Sequence, residues 1–420
     1  MLETSNYTQV LTAAIEANRA NFQPVTINDK KLYYNRIEIP LPPIDLLSWL
    51  EQQRSTPKIY WEEKDLAVAG IGSAYSLSDL PLITEGRAIR FFGGMDFNTR
   101  QYSTWGDFPK KRYCLPRIEL ITRAEKTFLA ANFIGTLTEL PPFSFDFTPN
   151  PVTDSKPISR IDCPSFYNWE RNLFSQLRVI EQSLLEKVVL ARMTSLNYRE
   201  RLHPYRMLAK LKGKMKFAFQ FSPDQTFIGA TPEKLYSRTN TTIASVAIAG
   251  TRPRGKTAAE DAALKQELLE TAKEQHEFSI VERFIEATLT PFCQRLQKKT
   301  GGVVTTTTVQ HLLTAFSGKL YPAVRDHQLI QALHPTPALG GFPRAEAMET
   351  LSAIEPFDRG WYGAPVGWIS AEGASLAVAI RSALVNNHKL HLFAGTGIVT
   401  GSIPSQEWRE LDAKIAQFLS

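Results

Sequence analysis

Cysteine is scarce in this 420-residue chain, with only Cys114, Cys163 and Cys293, all far apart. An odd, scattered set matches no zinc spacing and no disulfide framework, and it fits small buried thiols in a reducing compartment. No run of about 18 apolar residues occurs, so nothing reads as a membrane span. The opening stretch MLETSNYTQVLTAAIEANR has an early acid and no basic region ahead of an apolar core. That argues against a secretory signal and for an amphipathic surface helix, so a cytoplasmic protein is expected. An excess of one charge is missing too: 48 Lys+Arg against 42 Asp+Glu leave +6. That balance allows a small anionic substrate without calling for nucleic acid. The densest basic stretch, Lys210, Lys212, Lys214 and Lys216, reads better as a solvated loop than as a phosphate patch. G-x-S-x-G is absent, which removes the nucleophile elbow of Ser-His-Asp hydrolases.

What is present is the composition of a soluble globular protein, 43% hydrophobic and 21% charged, long enough for a large core. The one clear shift in composition is TPNPVTDSKP at 148–157, which reads as a linker or long loop. It separates a strand-rich N-terminal portion, 1–150, from a longer portion, 151–420. In the first, KIYWEE, DLAVAGIG, AIRFFGGMDF and RIELITR are rich in aromatic and β-branched residues. In the second, 168–185 and 258–289 carry helical periodicity. Strands are expected at KVVLAR, MKFAFQFS, TFIGA, KLYSR, TIASVAIAG, APVGWIS, SLAVAIRSALV and KLHLFAGTGIV. Several abut with connections too short for a crossover helix, which favours antiparallel pairing. The expected fold class is α+β, with two large packed antiparallel β-sheets and helices on the outside.

Three local patterns could carry chemistry. In EKVVLAR, strand alternation puts Lys187, Val189 and Ala191 on one face and Val188, Leu190 and Arg192 on the other. Lys187 is then either a strand-end lysine reaching solvent or a buried amine with a role. Two E-x-x-E pairs on expected helices, Glu274 with Glu277 and Glu407 with Glu410, each share a helical face, and Lys414 follows Glu410 by four. Two such helices meeting at a cleft would offer four carboxylates to a hard cation. Spacing alone is better explained by two solvated charged faces. FAGTGIVTGSIPS sets Gly395, Gly397 and Gly401 between a strand and a helix, where glycine permits positive φ and close approach of backbone N–H groups to an anion. It is neither a G-x-G-x-x-G nor a P-loop fingerprint, and a plain tight turn explains it equally well. AIAGTRPRG admits the same simple reading as a loop. His311, in VQHLLT, reads first as a satisfied core or edge histidine.

Taken in order, KVVLAR, FIGATPEKL, AIAGTRPRG, VQHLLT, HPTPALGGFPR, EPFDRGWYGAPVGW, AIRSA and FAGTGIVTGSIPSQEWRELDAK strongly resemble the chorismate-utilising enzyme family, and within it the isochorismate-forming members. The resemblance covers 158–420 and extends more loosely upstream through YWEEKDLAVAGIG and FFGGMDF. It implies one large α+β unit in which the 1–150 portion is integrated and 151–420 is the chorismate-binding catalytic region.

By motif, the resemblance implies that Lys187 is the general base activating water for attack at C2 of chorismate. Glu233 is then the general acid for the departing C4 hydroxyl. It makes Glu277 and Glu410 Mg²⁺ ligands, with Glu274 and Glu407 supporting them. Arg381, Lys414 and the backbone at Gly395 and at Gly250–Thr251 would hold the substrate carboxylates, and His311 and Tyr362 would line the pocket. A dianion suits that set of cations, and moving a hydroxyl between carbons needs a base and an acid. A free lysine titrates near ~10.4, so a base role demands burial and nearby cations that lower it, while the acid needs the opposite shift. Anthranilate- and salicylate-forming relatives usually carry Thr where this chain has Ala338, and the Ala338–Leu339 pair is similar to the water-using members. RGWYGAPVGW is similar to menaquinone- and phylloquinone-pathway enzymes. One departure lies in TAKEQHEF, where relatives often read S-x-K-D-R-x-E-H: Phe278 replaces the usual His and Gln275 the usual Arg. No obligatory protein partner is implied, and a monomer is expected.

Overall fold

A computed structural model describes residues 4–85, 89–98, 105–136, 139–145, 156–305 and 309–419. The segment read as a linker lies outside the described residues from 148 to 155. Among the described residues, 21 strands form one hydrogen-bonded network with antiparallel pairing, as the short connections require.

The network divides at strand Lys111–Arg123. Its residues 111–114 pair with 92–95, whereas 118–123 pair with 126–131. From the first junction one arm runs through Pro365–Ile369, Gly373–Val378, Lys234–Thr239, Thr242–Pro253, Val309–Leu320 and Cys293–Thr305. The other arm runs through Leu66–Leu77, Lys58–Glu63, Met215–Gln220, Gln225–Thr231, Ser382–Asn386 and Lys389–Ile398 to Lys187–Asn197. The two sheets expected from sequence are therefore two arms of one network, joined where a long strand changes partners. Leu190 and Leu392 of one arm share a buried apolar cluster with Tyr236, Leu312 and Phe316 of the other. Burial of that apolar surface holds the arms together.

Two expected elements are broken, both beside the cavity described below. The helix read over 258–289 is two helices, Ala258–Glu270 and Ala272–Leu289, because Thr271 is extended. Its hydroxyl donates to the Glu267 carbonyl at 2.7 Å, a local bond that competes with helix continuation. The second helix thereby takes its own direction, burying Phe278, Val281, Ile285 and Leu289 and leaving Glu274 and Glu277 on another side. SLAVAIRSALV is likewise two strands, Gly373–Val378 and Ser382–Asn386, with Arg381 between them at φ +52°. A non-glycine residue in that region is strained and is held there by its surroundings. No described helix is long and apolar enough to cross a membrane.

Candidate active site

Lys187 begins an interior strand, with Phe342 opposite it on one side and the Lys389–Ile398 strand along the other. Its side chain is 1% exposed, and Nζ donates to Glu277 Oε1 at 2.7 Å. Of the two readings left open by alternation, the buried amine is the one observed. The pair lies across Gly397, where a Cβ would stand 2.5 Å from Lys187 Cε and 2.7 Å from Glu277 Oε1. Gly395 and Gly397 thus sit inside strand Lys389–Ile398 and serve close approach; of the three glycines in that motif, only Gly401 has positive φ, at +87°.

Arg192 confirms the alternation from the opposite face. Its buried guanidinium lies 4.3 Å over the Trp408 ring and donates to Asp412 Oδ1 at 2.8 Å. It fastens helix Pro404–Ile415 to the strand that carries Lys187. Arg359, fully buried and paired with Glu355, donates to the carbonyls of Val189 and Leu339, each at 2.7 Å. The Ala338–Leu339 turn is tied to the same strand in this way.

Glu233 follows strand Gln225–Thr231 in a turn held by Thr231, whose Oγ1 accepts the Glu233 N–H at 3.2 Å and donates to the Val378 carbonyl. Burial pushes the Glu233 carboxyl up to about 7, against the opposing charges of Lys187 and Lys414. Desolvation is the larger effect because the charged form loses its water.

The four other glutamates come from two helices, and each carries a basic partner. Glu274 binds Arg252 at 2.8 Å, Glu277 binds Lys187, Glu407 binds Lys273 at 2.8 Å, and Glu410 binds Lys414. Glu407 is 3% exposed and also accepts from Thr396 Oγ1. The solvated-face reading of these pairs fails there, although the i,i+4 bridge from Glu410 to Lys414 is real. Burial pushes the Glu410 carboxyl up, but Lys414, Lys273 and Arg381 together hold it below the usual carboxylate range.

His311 lies on strand Val309–Leu320, with Nδ1 3.1 Å from the carbonyl of Gly250, a residue at φ +66°. Burial, then the charges of Arg381, Lys414 and Lys214, lower its pKa. The ring is thereby kept neutral, with Nδ1 donating to Gly250 and Nε2 left as an acceptor. Tyr362 is buried and stacks on Phe393 with centroids 5.4 Å apart. Burial also lowers the Arg381 pKa, and among the described residues its guanidinium has no carboxylate partner.

These groups surround one cavity of about 300 Å³, lined by Glu233, Gly250, Glu274, Glu277, His311, Ala338, Tyr362, Arg381, Gly395, Glu407, Glu410 and Lys414. Lys187 adjoins it through Glu277. The side chain of Thr251 lies outside the described residues. Sequence reasoning missed Arg252, Lys273 and Lys214, which also line the cavity. Lys214 is exposed in the short loop before strand Met215–Gln220, as the solvated-loop reading of the basic stretch expects, and it also lines the cavity. Lys273 immediately precedes Glu274, yet nothing local shows that it reaches Glu407.

Carboxylate oxygens suit a hard cation such as Mg²⁺, so the donor chemistry fits. Among the described residues, however, no three acidic, His or Cys groups gather closely enough to hold a metal ion. The physical reason is the pairing: each glutamate is drawn to its own base.

The sequence of residues 76–420 matches the family described as "Chorismate binding enzyme". The chain belongs to this family. Its relatives include the isochorismate synthase MenF of Bacillus subtilis, 33% identical over 78% of this chain and 74% of that protein. A chloroplastic isochorismate synthase of Catharanthus roseus is 30% identical over 85% of this chain and 69% of its own length. Among solved structures, the menaquinone-specific isochorismate synthase MenF of Escherichia coli is similar at TM-score 0.81 and 25% identity, over 98% of this chain and 100% of that one. Anthranilate synthase component I of Streptococcus pneumoniae shares the fold at TM-score 0.66 and 18% identity, over 92% of each chain.

Proposed function

We propose that this chorismate-binding enzyme is an Mg²⁺-dependent isochorismate synthase acting in menaquinone or phylloquinone biosynthesis. The observation that carries the reading is the meeting, at one cavity, of a buried lysine, a glutamate with a raised pKa and a wall of four glutamates. The relatives named isochorismate synthase support the product, and the likeness to a menaquinone-specific enzyme supports the pathway.

The chain's own residues account for the steps. Lys187 takes a proton from the water that attacks C2, which it can do only once Glu277 releases its amine. Glu233, about half protonated near pH 7, gives a proton to the hydroxyl leaving C4; it sits in the turn that links the two arms, apart from the strand that carries the base. Arg381, a cavity-lining residue with no carboxylate partner among the described residues, would bind a substrate carboxylate. The stacked Tyr362 and the Ala338–Leu339 turn shape the remaining wall. Glu277 and Glu410, supported by Glu274 and Glu407, would hold Mg²⁺, which would neutralise a substrate carboxylate.

Incubating the purified protein with chorismate and Mg²⁺ and separating the products by chromatography tests the reading. Isochorismate is the expected product. Anthranilate formed with added ammonia, or salicylate with pyruvate, as the main product would overturn it in favour of a lyase.

A further inference from the structure

Six cationic side chains line or adjoin the cavity: Lys187, Lys214, Arg252, Lys273, Arg381 and Lys414. Four of them are committed to the four helix glutamates. Those pairs cancel one another's charge and leave Arg381 and Lys214, neither of which has a carboxylate partner among the described residues. Both line the same cavity as His311. Two unneutralised cations around a neutral imidazole are what a doubly charged anion would meet. Lys214 stands just before strand Met215–Gln220, and a strand of the sheet fixes its approach better than a free loop would.

We propose that Lys214 is a substrate-binding residue that works with Arg381 to hold a carboxylate of the dianionic substrate at the mouth of the cavity. The assignment rests on the dicarboxylate substrate proposed above. A lysine is suited to that place because its compact ammonium attracts an anion from solvent and its long stem follows the ligand inward.

The test compares the wild-type enzyme with Lys214→Ala, Lys214→Arg and Lys212→Ala, the last removing an exposed neighbouring charge that does not line the cavity. Steady-state kinetics give KM and kcat for chorismate. Calorimetry in a Lys187→Ala background gives affinity without turnover, at low and high salt. Lys214→Ala is expected to weaken affinity by up to about fivefold, the upper range for an exposed ion pair, with most of the loss in kcat/KM falling on KM. The deficit should shrink at high salt, where the ion pair is screened. Lys214→Arg should recover most of the affinity, and Lys212→Ala should match the wild type. Equal affinity of Lys214→Ala and Lys212→Ala, in an enzyme that binds and converts chorismate, would overturn the role of Lys214 alone. A wild-type enzyme that neither binds nor converts chorismate would remove the substrate reading and this inference with it.

Discussion

Replacing Glu233 by Gln should cost activity and gain stability, and the gain should depend on pH in a direction that the structure sets. Burial raises the Glu233 carboxyl from 4.5 to about 7. Between those values the folded chain binds more protons than the unfolded one, so stability falls as pH rises through this window. The penalty is absent well below 4.5 and complete above about 7. At about 1.36 kcal/mol per pH unit, a displacement of roughly two and a half units costs about 3 kcal/mol at pH 8 and under about 1 kcal/mol at pH 5. Gln has nearly the same shape and carries no charge, so Glu233→Gln removes the penalty. Chemical denaturation at pH 5 and pH 8 measures the difference. The variant should be more stable by about 3 kcal/mol at pH 8 and close to the wild type at pH 5, while its kcat falls roughly 10²- to 10⁴-fold for want of a proton donor. The wild-type rate should decline as pH rises through about 7. An equal stability difference at both pH values, or a variant with full activity, would refute the assignment of Glu233 as a buried acid.

The other expectations concern the base and the carboxylates. Gly397→Ala would place a methyl 2.5 Å from Lys187 Cε and should displace the Lys187–Glu277 pair by about 1 Å, costing roughly 10²-fold in kcat. Gly301→Ala, whose Cβ would meet nothing nearer than 3.5 Å, is the control, and similar kinetics for the two variants would count against the close-packed base. Lys187→Ala should abolish turnover while keeping chorismate affinity largely intact, as calorimetry would show; unchanged turnover would end its role as base. Treatment with a chelator should remove activity and added Mg²⁺ should restore it, whereas a stripped enzyme at full rate would exclude a cation-dependent reaction.

Much of the fold is legible in the sequence because the patterns are local. Alternation in KVVLAR assigns Lys187 and Arg192 to opposite faces, and the contacts with Glu277 and Trp408 place them so. The breaks at Thr271 and Arg381 were not legible. Each follows a run whose composition suits an unbroken element, and tertiary surroundings impose the interruption. The glycine-rich motif was read as a turn or a source of positive φ and close approach, and Gly395 and Gly397 are required by what packs against them from the neighbouring strand, from Tyr362 and from Glu277 on a helix.

The sequence by itself determined the α+β class, the positions of about half of its strands, the two E-x-x-E faces and the ordered motifs that mark the family. These follow from periodicities of two and 3.6 residues and from residue chemistry at fixed spacing. Only the tertiary structure decided that Lys187 is buried against Glu277, that Lys273 reaches Glu407 across 134 positions, and that Lys214 faces the cavity. Such pairings depend on how distant elements pack, and charge balance within a shared low-dielectric cavity selects the partners.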